Sequence, residues 1–274
     1  MKRRRVPPVE RRLREWHDTA ARHRGLTRYN VNLEFAIPSW AACGPGLSTP
    51  ADWRAWAAAP CVPAGEPRPD LSQVPAMVRR RLNALGRTAL QPAFDVHTPA
   101  PDVPVVFASR YGDASRALDL LAELVRGEAL SPTSFGLSVH NAIGALYSII
   151  RGDRGNYLSV AAGPGTAAAG LVEAAGLLAD GAPEVLVVCC DAPLPGGYAT
   201  FEDGPAALYA WAWRVTAPVA GQVRYSLTAE PAAAATEPSE LPFGLDVMRF
   251  VAADARSLTR TAAGTAWTWR RHDA

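Results

Sequence analysis

From Asn32 to Ile37 apolar and polar side chains alternate, with Leu33 and Phe35 set against Asn32 and Glu34. This is the period of a half-buried strand. Residues Ala51 to Ala58 read as a short helix capped by Thr49 or Ser48, and the proline-rich stretch 60 to 75 cannot continue it. Met77, Leu82, Leu85 and Leu90 fall on one side of a single predicted helix from Ala76 to about Phe94, which leaves Arg79, Arg80, Arg81 and Arg87 on a solvated face. The dense β-branched run Val103 to Ala108 predicts a strand buried on both faces, and Asp113 or Ser115 caps a following helix that reaches Arg126.

The alternation then repeats. The pattern predicts a helix from about His140 to Ile150, a strand from Tyr157 to Ala162, a helix from Gly165 to Ala179 and a strand from Val185 to Cys190. Strands with near-continuous apolar runs, separated by helices, imply an α/β layered fold with a mixed or parallel sheet. After residue 200 the texture changes: Ala206–Val215 and Gln222–Thr228 read as adjacent strands, 244–254 as a helix and Ala266–Arg270 as a closing strand. No internal repeat or low-complexity linker divides the body.

At 274 residues and 49% hydrophobic, the chain can bury one full core. The net charge of +2 conceals an asymmetry, because residues 1–29 carry ten Lys/Arg against three Asp/Glu and the remainder is acidic by five. Residues 1–30 are therefore expected to be a basic, flexible or partly helical extension, and 31–274 the folded domain. No run is long and apolar enough to span a bilayer, and no signal peptide follows the arginine-rich start, so a cytoplasmic location is expected. Cys43, Cys61, Cys189 and Cys190 lack zinc-site spacing and read as reduced, mostly buried thiols. No metal or cofactor is expected, and no nucleic-acid motif accompanies the basic extension.

The segment from Tyr157 to Gly170 (YLSVAAGPGTAAAG) carries the candidate chemistry: an apolar strand turning through small residues into a helix. One reading is a dinucleotide loop, in which Gly163, Gly165 and Gly170 open a helix whose amides cradle a phosphate and Asp191 ends the next strand. Against it, Ala168 holds the third glycine position and Pro164 lacks an amide. The other reading is an acyl-transfer elbow that presents a nucleophile at the positive end of a helix. A third places the nucleophile at Cys189 or Cys190, in an acyltransferase of thiolase fold.

The run Leu130-Ser-Pro-Thr-Ser-Phe-Gly-Leu-Ser-Val-His-Asn141, then Gly144, Gly152 and Gly155, then the elbow and the strand after Asp180, resembles the N-terminal half of a β-ketoacyl synthase. In detail it is similar to the chain-length-factor-like subunits of aryl polyene clusters, a likeness shared by Ser39-Trp-Ala-Ala and Trp53-Arg-Ala-Trp56. The resemblance implies a thiolase-like half, a mixed sheet layered between helices with extra C-terminal strands. It also implies a subunit that pairs with a complete β-ketoacyl synthase as a heterodimer in fatty-acyl, polyketide or aryl polyene synthesis, with an acyl carrier protein as a further partner suited to Arg79–Arg81. On the ungapped register the family's nucleophilic cysteine falls on Pro164, between Gly163 and Gly165, so the resemblance implies a subunit inactive in condensation. No His-Gly-Thr motif follows residue 200, and His17, His23, His97, His140 and His272 form no catalytic set. The strand Tyr157–Ala162 would form the interface edge. Ser134, Phe135, Ser138, His140, Asn141, Tyr157 and Ser159 are the implied interface or acyl-tunnel residues, with a capping or interface role for His140.

Overall fold

A computed structural model describes residues 31–96, 103–232 and 239–274; the basic extension 1–30, with His17 and His23, and also His97 lie outside the described residues. The chain opens with β1 (Val31–Cys43), followed by α1 (Pro50–Ala58), α2 (Ala76–Arg79), α3 (Ala84–Asp95), β2 (Val105–Ala108), α4 (Ala114–Val125), α5 (Pro132–Gly136), α6 (Ala142–Arg151) and β3 (Tyr157–Val160). Then come α7 (Thr166–Ala179), β4 (Val185–Asp191), a 3₁₀ turn at Gly196–Phe201, β5 (Tyr209–Thr216), β6 (Arg224–Pro231), α8 (Phe243–Ala252), β7 (Ser257–Ala262) and β8 (Thr265–His272). The strands form one eight-stranded sheet in the order β3-β2-β4-β5-β1-β6-β8-β7. It is mixed: β2 runs parallel to β3 and β4, and the remaining pairs are antiparallel.

Strand β1 runs well past the predicted Ile37. Its first five residues pair with β6, whereas Ala36 and Ser39–Cys43 pair with β5. Between Ala36 and Ser39 it advances three residues against two on β5, a bulge that accommodates Pro38, which has no N–H to give a ladder. The predicted adjacency of β5 and β6 is thereby corrected: β1 lies between them. Their patterns alone carried no information about a strand inserted from far earlier in the chain.

Side chains alternate faces along each strand. On β4, Val185, Val187 and Cys189 join a core with Ala168, Leu171 and Trp211, while Leu186, Val188 and Cys190 join a second core with Leu90, Phe107 and Tyr147. Both faces being covered explains the unbroken apolar run. Around β6 and β8, Phe243 meets Trp269 and Tyr225 meets Phe250 edge to face at 5.5 and 5.9 Å.

The single helix expected from Ala76 to Phe94 is two. Asn83 breaks it: its side-chain carbonyl accepts from Gly86 N–H at 2.9 Å as the N-cap of α3, and its amide donates to Asp113 at 2.7 Å. Nor do the nearby arginines simply face water. Arg87 donates to the carbonyls of Leu82 and Arg79, and Arg79 donates to that of Leu71, stitching the corner. The capping of α1 falls to Thr49, in a reciprocal box with Asp52. Strand β7, absent from the sequence reading, pairs with β8 through a two-residue turn, Ala263-Gly264, with both φ positive (49° and 80°).

Helix α7 lies against β2 and β4 at close range: a Cβ on Gly170 would come within 2.9 Å of the Ala108 Cβ. Gly170→Ala is expected to lower stability by roughly 1–3 kcal/mol through overpacking, measurable as a reduced urea midpoint with unchanged slope. The same change at Gly176, whose added Cβ meets nothing within 4 Å, is expected to be neutral or stabilising.

Candidate functional site

Between β3 and α7 the chain turns through Ala161–Gly165. Gly163 adopts φ +55°, which favours glycine, and Ala162 and Pro164 form an isolated bridge. The Thr166 hydroxyl accepts from Ala162 N–H at 3.0 Å and donates to the Gly163 carbonyl at 2.7 Å, while Thr166 N–H also bonds Gly163 O. The elbow is thus closed on its own backbone. From above it is met by the β7–β8 hairpin, with Trp267 Nε1 and the Ala262 Cβ 3.4 and 3.5 Å from where a Gly165 Cβ would stand.

A cavity of about 390 Å³ opens beside the elbow at the C-terminal ends of the parallel strands, where open α/β sheets commonly hold ligands. Pro164 and Thr166 share its wall with Arg110, Asp191, Tyr209 and Arg260. Proline supplies no nucleophile and no N–H for an oxyanion. The arginines in the wall are paired: Arg110 holds Asp203 at 2.7 Å and lies over the Tyr111 ring, and Arg260 holds Asp246, while Glu202 accepts from Leu194 N–H at 3.0 Å. Asp191, at the end of β4, accepts from Arg110 N–H at 2.8 Å and from the Ser109 hydroxyl at 3.2 Å. Burial nonetheless pushes its carboxyl up to about 6, because desolvation outweighs these bonds.

The dinucleotide reading finds little support in this geometry. Strand β3 lies at the sheet edge with a neighbour on one side only, so no crevice forms between it and a second flanking strand. Gly170 serves helix–strand packing. The cysteine reading fares no better: Cys189 and Cys190 are 1% exposed, sit on opposite faces of β4, and burial drives both thiols upward. Among the described residues no three His, Cys, Asp or Glu side chains gather as a metal site, and no helix is long and apolar enough to cross a membrane.

The interface residues suggested by the sequence lie on α5, on the segment that follows it and on β3. Ser131 caps α5 by accepting from Ser134 N–H, and the Ser138 hydroxyl donates to the Phe135 carbonyl at 2.8 Å. His140 Nε2 lies 2.7 Å from the Ser109 carbonyl, and the Asn141 amide donates to the Tyr157 hydroxyl at 3.4 Å. Ser159, on the edge strand, has a buried hydroxyl without a hydrogen-bond partner among the described residues. His272 stands apart, its Nε2 2.9 Å from the Ser226 hydroxyl between β6 and β8. Sequence reasoning missed Ser109, Arg110 and Asp203. Arg110 and Asp203 are 93 residues apart in sequence, and only the sheet order brings them together.

Beyond these residues, helix α4 is strongly amphipathic, yet of its apolar residues only Leu120 is buried; Leu121, Leu124 and Val125 are exposed, beside Phe135 and Val139.

Comparison with known proteins agrees with this geometry. The family model described as beta-ketoacyl synthase, N-terminal domain, matches residues 53–270. Among solved structures, a chain of the ketosynthase ApeO in complex with its chain length factor ApeC, from Xenorhabdus doucetiae, is 28% identical with a TM-score of 0.77, covering 87% of this chain and 100% of its own. The ishigamide ketosynthase/chain length factor follows at 14% identity and a TM-score of 0.65, covering 87% and 99%. A β-ketoacyl synthase from Burkholderia phymatum STM815 is 11% identical with a TM-score of 0.55, over 81% of this chain and 71% of its own. These last two likenesses concern the fold alone. A search of curated proteins gives no match.

Two outcomes follow for the cavity wall. Native thiol labelling should modify Cys61, the exposed cysteine, and spare Cys43, Cys189 and Cys190; mass spectrometry of the labelled chain checks this. Because the folded Asp191 carboxyl is raised above its unfolded value, its ionisation destabilises the fold, a cost that enters as pH rises from about 4 to about 6 and is full above that. Asp191→Asn is therefore expected to gain roughly 1–3 kcal/mol relative to wild type between pH 4 and pH 7.5, measured as a difference in unfolding free energy at the two pH values.

Proposed function

The chain belongs to the β-ketoacyl synthase family, N-terminal domain, and within it we propose a non-catalytic, chain-length-factor-like subunit that pairs with an active β-ketoacyl synthase in fatty-acyl, polyketide or aryl polyene synthesis. The observation that carries this reading is an apolar surface beside an unpaired sheet edge. Phe135 is 64% exposed, Val125 88% and Ile149 71%, and Leu121, Leu124 and Val139 are exposed with them. Strand β3 has a free edge, bonded on one side to β2 and packed by α6, the helix that carries Ile149, and Asn141 at the end of the 131–141 segment donates to Tyr157 on it. Exposed apolar area next to unpaired strand backbone calls for a covering surface.

The second support is the elbow. A condensing enzyme needs a thiolate at the turn, and this turn has Pro164, with Thr166 already engaged by its own backbone. Loss of a nucleophile alone can cost about 10⁶ in kcat. In this reading the subunit contributes surface, not chemistry: Phe135 and Ser134 on α5, with Ser138 behind them, face the partner's acyl tunnel and help limit the chain it accommodates. The solved complex of ApeO with ApeC is a ketosynthase with its chain length factor, which makes such a pairing the natural reading for this chain. An acyl carrier protein is a further candidate partner.

Co-expression with a ketosynthase encoded beside this chain, followed by affinity purification, should recover a stable heterodimer. Failure to co-purify any ketosynthase would overturn the reading. Phe135→Asp and Val125→Glu, both on exposed positions, should lower that recovery at least tenfold while leaving the thermal midpoint of the isolated chain unchanged. Pro164→Cys should restore no measurable condensation.

A further inference from the structure

The 131–141 segment is held to the rest of the molecule by very little. It buries no side chain, and α5 has no buried residue. Its backbone bonds are local: Phe135 N–H to Ser131 O, Leu137 N–H to Thr133 O, Ser138 N–H to Phe135 O. Among the described residues, two side-chain hydrogen bonds reach out of it. The one from Asn141 to Tyr157 is long, at 3.4 Å, and exposed; the one from His140 to Ser109 is short, at 2.7 Å.

The His140 contact is specific. A backbone carbonyl can only accept, so Nε2 must carry the proton and donate. Gly112, at φ +57°, packs close to the ring, and a Cβ there would come within 2.9 Å of His140 Cδ2. The receiving loop is itself rigidly held. The Ser109 hydroxyl donates to Asp191 and accepts from Gly112 N–H at 3.0 Å, Arg110 N–H donates to Asp191, and Asp113 caps α4 while pairing with Arg116 at 2.9 Å. His140 thus joins an otherwise loosely held surface segment to a loop locked between β2 and β4.

We infer that His140 is a positioning residue: its Nε2–H bond to the Ser109 carbonyl holds the 131–141 segment in the form that meets a partner, and ties that segment through Ser109 and Asp191 to the wall of the cavity beside the elbow. The inference rests on the proposed pairing for its purpose. The contact itself does not depend on that pairing.

Hydrogen exchange on the full chain without a partner tests it. His140→Ala should speed exchange of the amides of residues 135–138 on the order of fivefold, the net worth of one such bond, with β4 and β5 unchanged as the control for folding. His140→Gln, whose amide nitrogen can reach the same carbonyl, should restore protection; His140→Phe, which keeps a ring against Gly112 and loses the donor, should not. Unchanged exchange in the alanine variant, or full protection in the phenylalanine variant, would overturn the inference. Should the alanine variant fail to fold, Gly112→Ala, which displaces the ring, is expected to produce the same exchange increase, and its absence counts equally against. Recovery of a co-expressed ketosynthase forms the second arm: it should fall with His140→Ala and return with His140→Gln. If wild type recovers no ketosynthase, the pairing fails while the exchange result still decides the role of His140.

Discussion

Everything in this fold hangs on the backbone of one strand. The N-terminal part of β1 gives its hydrogen bonds to β6, and its C-terminal part gives them to β5. Without that change of partner the sheet would be two separate pieces, β3-β2-β4-β5 and β6-β8-β7. The bulge at Ile37–Pro38 makes the change possible, since a residue with no N–H costs nothing where the ladder is already interrupted. Once β1 is set, Phe35 stacks on Tyr225 on one side of the bulge, and Ala41 and Ala42 enter opposite cores on the other. The hairpin β7–β8 is carried by β6, so its approach to the elbow at Gly165 also depends on β1.

The elbow is held by packing and by its own backbone hydrogen bonds. Gly163 supplies the left-handed residue, Gly165 admits the hairpin and Gly170 admits β2, so each glycine has a structural reason that no ligand need supply. Thr166 satisfies the turn's backbone, and every arginine in the cavity wall already holds an aspartate. The buried carboxyl of Asp191 in that wall is hydrogen-bonded by Ser109 and Arg110 N–H, and its ionisation still carries a cost to stability. Its worth lies in the loop it organises, residues 109–111, which touches both the cavity and the His140 segment.

Much of this was legible in the sequence for a definite reason. Strands buried on both faces leave dense apolar runs, and β2 and β4 were readable as such; the caps at Thr49 and Asp113 follow from side-chain chemistry within three residues. What failed was whatever depended on partners distant in the chain. The break at Asn83 needs Asp113 to reward it, β1's insertion between β5 and β6 has no local signature, and β7 looks polar because one of its edges faces solvent. The elbow was located by its small residues, whereas the ties around it, Arg110 to Asp203 and His140 to Ser109, join residues that no spacing rule connects.

The two edges of the sheet differ in a way that bears on where a partner would sit. Strand β7 presents the exposed hydroxyl side chains of Ser257 and Thr259, while its one charge, Arg260, turns inward to Asp246 and the cavity wall. Strand β3 presents Tyr157, Leu158, Ser159 and Val160: four residues, none charged, all half-buried. An edge without charge is a liability for a chain alone, and Ser159 adds a buried hydroxyl still lacking a partner among the described residues. The apolar residues of α4 and α5 enlarge that liability instead of shielding it, for Leu124, Val125 and Phe135 face outward where a self-sufficient domain would turn them in. Both costs vanish together if a second sheet edge and an apolar surface close over this flank, and nothing equivalent is asked of the flank at β7.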